Sequence, residues 1–229
     1  MPRIGVLLSG CGVMDGSEIH EAVLTLLALD RAGAEALCIA PNVAQQEVVN
    51  HLTGKPAPGE SRNVLVEAAR IARGCIRDVA TVKASEIDGL VLPGGYGAAK
   101  NLCDFATAGE KAKAHPEVAR LVAEVQKAGK PVGAICIAPA AVAAVFRGTE
   151  VSPELTIGTD RATASKIVAM GSRHGDRRVR EVLVDREHRV VSTPAYMLAT
   201  RITEDADGIE KLAREVLALV PKPAPAARA

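Results

Sequence analysis

Cys136 stands where a thiol could work as a nucleophile. The residues before it, VGAI, read as a buried strand, and Ile137, Ala138 and Pro139 behind it open a helix. An elbow of this kind presents a side chain at the carboxyl end of a sheet, with the first-turn N–H groups of the helix free to hold an oxyanion. The positive end of the helix dipole favours the thiolate, so the position predicts a lowered thiol pKa. The same position also suits a small packed side chain.

Two glycine-rich turns could complete a site. Gly94, Gly95, Tyr96 and Gly97 follow the apolar run GLVLP, and glycines there allow backbone amides to face a ligand. One such amide could be a second oxyanion donor beside Cys136. The other turn lies in GCGVMDGSEIHE, residues 10–21. It carries Glu18 and Glu21, three apart and therefore on one face of a first helical turn. A carboxyl that is buried and protonated beside a thiolate can donate a hydrogen bond to it and shuttle protons. Glu18 also suits helix capping, whereas Glu21 lies further in, where the dipole stabilises a carboxylate less. His20 and Cys11 are near enough in sequence to line the same pocket. His174 falls in the charged run SRHGDRR and reads as solvated surface.

Alternating strands and helices must position these residues. Short apolar strands are expected over 4–9, 35–40, the end of 86–93, and 131–135. Helices are expected over 18–32, with Ser17 as cap and Gly33 as stop, over 62–73, over 116–128 and from Pro139 onward. Segments 181–185 and 189–193 read as a hairpin around DREH, and a last helix covers 204–220. Such an order predicts βαβ units and a largely parallel sheet. One α/β domain is expected over residues 1–220, with a disordered Pro/Ala tail over 221–229.

Composition removes several classes of function. The 229 residues are 48% apolar with a net charge of +1, so no basic stripe marks a nucleic-acid surface. Tyr96, Phe105, Phe146 and Tyr196 are the only aromatics, which leaves few platforms for stacking bases. No run reaches the roughly eighteen apolar residues of a membrane span, and Ile4 to Leu8 is too short for a signal-peptide core. No membrane partner is expected, and a cytoplasmic location follows by default. The five cysteines include no CxxC pair and have no His at zinc-ligand spacing, which predicts reduced thiols and no metal site.

Several stretches together carry a family resemblance: IGVLLSGCGVMDGSEIHEAVLTLLALDRAGA, VVNHLTG, RNVLVEAARIARG, PGGYGAAKNL, GKPVGAICIAPA, LTIGTD and STPAYML. With them the chain resembles the class I glutamine amidotransferase-like superfamily in its PfpI-like branch. Within that branch it is similar to the ElbB-type bacterial glyoxalases associated with isoprenoid biosynthesis. The resemblance implies a flavodoxin-like three-layer α/β/α sandwich with a mostly parallel central sheet. It implies Cys136 as the catalytic cysteine and Glu21 as its acidic partner, with Glu18 as the neighbouring alternative. The oxyanion hole maps onto the backbone amides of Gly95 and Ile137. Gly94, Tyr96, Asp160 and Tyr196 would join Glu18, His20 and Cys11 around the pocket.

One departure narrows the chemistry. Amidotransferase and protease relatives place a His directly after the nucleophile or a short way downstream, where this chain has Ile137 and the run LTIGTD. Glutamine hydrolysis and peptide cleavage then lack a proton donor for the leaving amine. The resemblance thus implies a homodimeric, glutathione-independent glyoxalase of the lyase class, hydro-lyase type. It would take a small aldehyde or dicarbonyl, glyoxal to glycolate and methylglyoxal to lactate, without metal, nicotinamide or other cofactor. The alternatives are a redox-sensing or regulatory protein with a reactive Cys136, or a deglycase or hydrolase of another carbonyl metabolite.

Overall fold

Runs of Ile, Val, Leu and Ala bounded by Gly or Pro become strands covered on both faces. The computed structural model describes residues 1–221. In chain order it contains β1 (Arg3–Leu7), α1 (Ile19–Arg31), β2 (Glu35–Ala40), β3 (Val49–Asn50), β4 (Lys55–Pro56), α2 (Val64–Ile71), β5 (Arg77–Asp78) and β6 (Gly89–Leu92). There follow α3 (Tyr96–Lys100), α4 (Phe105–Ala108), α5 (Pro116–Lys127), β7 (Val132–Ile135), α6 (Ala138–Phe146), β8 (Glu154–Leu155) and α7 (Arg161–Ala169). The described chain closes with β9 (Arg173–His174), β10 (Leu183–Asp185), β11 (Val190–Thr193) and α8 (Ile202–Leu219).

Seven strands form the central sheet in the order β10-β11-β7-β6-β1-β2-β5, and only β10 runs antiparallel to its neighbour. Helices α1 and α8 pack together on one face, and α5 and α6 on the other. Every residue of β6 and β7 is buried, as parallel strands between two helical layers require. Ile4, Leu7, Leu90, Leu92 and Ile135 from the strands meet Leu29 of α1 and Leu121 of α5 in one apolar cluster. The chain leaves β1 toward β2 on one side and returns to β6 on the other. The loops leaving β1, β6 and β7 therefore meet at the carboxyl edge, where such sheets hold their ligands.

Some elements differ from expectation. Glu18, not Ser17, caps α1. The Ser17 hydroxyl instead accepts the Ser9 N–H at 2.8 Å and ties the end of β1 to its turn. The Gly94–Gly97 turn runs straight into α3, capped by Gly95. His174 is not solvated: its side chain is only 5% exposed, and its Nε2 accepts the Ile157 N–H at 3.3 Å. The DREH hairpin forms as β10–β11. There Asp185 accepts the N–H groups of Glu154 and His188 and bonds the His188 ring at 2.8 Å. These bonds use the carboxylate of the one Asp/Glu/His grouping of metal-ligand type among the described residues, Asp185 with Glu187 and His188. No helix among the described residues is long and apolar enough to cross a membrane. The tail expected over 221–229 lies, beyond Pro221, outside the described residues.

Candidate active site

Strand β7 delivers Cys136 to the carboxyl edge and α6 carries the chain away. Between them Cys136 takes a φ of +60°, a left-handed conformation that costs a non-glycine residue on the order of 1–3 kcal/mol. Its N–H donates to Thr193 O at 3.0 Å, extending the β7–β11 pairing past the strand and holding the elbow. Glu21, fully buried on α1, sets its carboxyl beside Cys136: a methyl built on Gly94 would meet both Cys136 Cβ and Glu21 Oε2. Two backbone donors fix its carboxyl: Gly94 N–H to Oε2 at 2.9 Å and Tyr196 N–H to Oε1 at 3.3 Å. The backbone N–H groups of Gly95 and Ile137 both favour the ionised Cys136 sulfur. Two amides from different loops thus converge where an oxyanion next to sulfur would form.

The two glycine-rich turns lock together to hold these amides. Tyr96 N–H donates to Val13 O at 2.7 Å, Gly97 N–H to Gly16 O at 2.9 Å and Glu18 N–H to Gly94 O at 3.0 Å. The Asn101 amide adds bonds to the carbonyls of Ser9 and Asp15. Gly94 is required by space. A methyl there would overlap Cys136 Cβ and lie 2.5 Å from Glu21 Oε2. Gly95 is required by its backbone as well, with φ of +90°.

Electrostatics reverse one expectation. Burial pushes the Cys136 thiol well above its ordinary range, the Glu21 charge adds to this, and the Gly95 and Ile137 amides pull the other way. The helix dipole alone predicts a lowered thiol, but desolvation of a largely buried sulfur outweighs it. Glu21 is likewise raised well above the usual carboxylate range, first by burial and then by the charges of Asp205 and Glu18. Two acids side by side in a desolvated site do not both ionise readily, so they titrate as a pair and, once the first proton is lost, share the one that remains.

The other anticipated residues divide into four groups. Tyr96 and Tyr196 line a cleft of about 620 Å³ together with Cys136, Gly95 and Ile137. Glu18 is not a cleft residue but the cap of α1, its Oε2 accepting the Glu21 N–H at 2.7 Å. His20 is exposed and reaches the cleft only through Tyr196, its Nδ1 lying 2.9 Å from the phenol oxygen. Cys11 and Asp160 stay apart. Cys11 feels the charges of Glu67 and Arg70, and Asp160 caps α7 from the surface. Sequence reasoning passed over Lys100, Thr163 and Lys166 of the cleft, and the buried Asp205. Asp205 had a readable signal, since it shares the buried stripe of α8 with Gly208, Ile209 and Leu212.

Residues 11–185 match the DJ-1/PfpI family. The chain belongs to that family. It is 46% identical to the Homo sapiens protein named glutamine amidotransferase-like class 1 domain-containing protein 3, mitochondrial, over 96% of this chain and 84% of that protein. It is 44% identical to the Rattus norvegicus ES1 protein homolog, mitochondrial, over 96% of this chain and 85% of that one. A crystal structure of an isoprenoid biosynthesis protein with amidotransferase-like domain from Ehrlichia chaffeensis superposes with a TM-score of 0.87 at 39% identity, covering 94% of this chain and 99% of that one. The DJ-1/PfpI family includes glyoxalases, deglycases and protective proteins. The relatives overturn the cytoplasmic expectation, because the human and rat proteins are named mitochondrial. Unpaired cysteines indicate only a reducing compartment and do not tell one from another.

Proposed function

We propose that this DJ-1/PfpI protein is a cofactor-independent glyoxalase, converting glyoxal to glycolate and methylglyoxal to lactate. The observation that carries the reading is the buried Glu21 carboxyl set beside Cys136, with the Gly95 and Ile137 amides favouring the ionised sulfur. That set suits a reaction with no amine to expel. Cys136 thiolate adds to one aldehyde carbon, and the two amides hold the resulting oxyanion until it takes the Glu21 proton. The Glu21 carboxylate then removes the hydrogen on that carbon, giving an enediolate; the hydroxyl proton passes to the neighbouring oxygen and Glu21 returns its own proton to the neighbouring carbon. The product is a Cys136 thioester of the hydroxy acid. Water hydrolyses it, releasing glycolate and the thiol, so that glyoxal and water are the only inputs. We propose a homodimer as the working form, which light scattering reads directly.

Product identification by proton NMR tests the reaction. Wild type should turn glyoxal into glycolate with no added metal, glutathione or nicotinamide, and Cys136→Ala should make none. Glycolate from the Cys136→Ala protein at the wild-type rate would overturn the assignment.

A further inference from the structure

Asp205 is an anomaly that the reaction above does not use. It is fully buried, and among the described residues neither carboxylate oxygen has a hydrogen-bond partner. Its neighbours on α8 behave differently: Glu204 and Asp207 face outward and pair with Arg180. Asp205 instead occupies the apolar stripe that continues through Ile209, Leu212, Val216 and Leu219, where an aliphatic side chain would avoid the desolvation of a carboxyl. A local rule broken inside a core without compensation marks a functional constraint.

We propose that Asp205 is a positioning residue for the Cys136–Glu21 pair: its buried carboxylate acts across the α1–α8 contact to hold the shared proton on Glu21, which leaves the negative charge on Cys136 Sγ. Arg180, from the loop before β10, is engaged on the outer side of α8 by Glu204 and Asp207. Helix α1 contributes Glu18 and Glu21, and the turn after β11 contributes the Tyr196 phenol, all of which interact with the Asp205 charge. The adjoining strands β7 and β11, VGAI and VVST, contribute no charged side chain. A negative Asp205 therefore acts only by repulsion. Its effect falls on Glu21, while burial, Glu21 and backbone amides are the main influences on Cys136. With the proton held on Glu21, that O–H donates to sulfur and the repulsion that raises the thiol disappears. Burial, and then Glu18, move Asp205 itself up to about 7, so this control turns on as the pH passes neutrality.

The inference rests on Cys136 and Glu21 as the reactive pair but not on the identity of the carbonyl substrate. Its test therefore uses no substrate. Iodoacetamide alkylation of Cys136 is followed by mass spectrometry of the peptide that carries it, from about pH 5.5 to about pH 9. Wild type and Asp205→Asn should react alike below roughly pH 6. Above roughly pH 8 the variant should react roughly tenfold more slowly, the effect of a displacement of about one pKa unit. In a Glu21→Gln background the Asp205→Asn substitution should change nothing. Asp205→Leu should reproduce the slow alkylation with a melting temperature no lower than wild type, because Asp205 accepts no hydrogen bond that could be lost. Identical profiles would overturn the proposal. So would a loss of rate that is parallel at every pH, or the unfolding of both variants. Failure of the glyoxal assay with the alkylation profiles as expected would instead remove the substrate reading and leave the role of Asp205 in place.

Discussion

Once singly ionised, Cys136 and Glu21 share the remaining proton, and the consequences of changing either are unequal. Removing the sulfur in Cys136→Ala removes the covalent step altogether. Glu21→Gln keeps the size but has one acceptor oxygen for the two N–H groups of Gly94 and Tyr196 and ends proton transfer, so kcat for glycolate formation should fall by about 10²–10⁴, the range for a lost general acid–base. Glu18→Gln should reduce kcat by less than about tenfold, because Glu18 caps α1 and touches no reacting atom. A larger loss in Glu18→Gln than in Glu21→Gln would exchange their assignments. Gly94→Ala makes a different statement about the same atoms. Its methyl would overlap Cys136 and crowd Glu21, so it should lower stability by about 1–3 kcal/mol. Chemical denaturation measures that change, and glycolate formation should fall with it as the Gly94 N–H is displaced from Oε2.

At the level of elements, burying Glu21 and Asp205 under the α1–α8 contact ties stability to pH. Both carboxyls have folded pKa values above their unfolded ones, Asp205 moving from 3.8 up to about 7. Below the unfolded value both states are protonated and neither group weakens the fold. As the pH rises toward the folded value, the unfolded chain ionises first, and stability is lost progressively. The melting temperature of Asp205→Asn should therefore gain on wild type by several degrees between about pH 4 and about pH 7; parallel curves would refute the linkage. The sequence showed where these elements start but not what their contact encloses. The Cys136 elbow was legible because VGAI and the helix-opening Ile137-Ala138-Pro139 are local patterns, as were the two glycine-rich turns. Strands β5, β8 and β9 were not, since two residues such as Arg77–Asp78 carry no period. The thiol shift was misjudged because the helix dipole is local whereas desolvation comes from tertiary packing. Asp205 was hidden in the acidic run TEDADG, and only its helical phase with Ile209 and Leu212 distinguished it.

For the molecule as a whole, the sheet topology gathers three loops around a cleft far larger than glyoxal, and charge gives that cleft a preference. Lys100 is bound to Glu47 and to Met14 O. Lys166 lies 5.9 Å from the centre of the Phe105 ring and, among the described residues, has no carboxylate within ion-pair distance. Glu47 offsets Lys100, so Lys166 is the unpaired charge of the cleft among the described residues. A 2-oxoaldehyde ending in a carboxylate should consequently be bound better than a neutral one of equal length. Lys166 is exposed, so reversing its charge is worth only about 1 kcal/mol. Lys166→Glu should raise KM for the anionic compound about three- to tenfold at low ionic strength while leaving kcat alone. Added salt should shrink the difference, since an exposed pair is screened within a Debye length of about 10 Å at 0.1 M. For glyoxal itself, which carries no charge, Lys166→Glu should change neither constant, and an equal rise in KM for both compounds would show that the substitution distorts the cleft rather than its field.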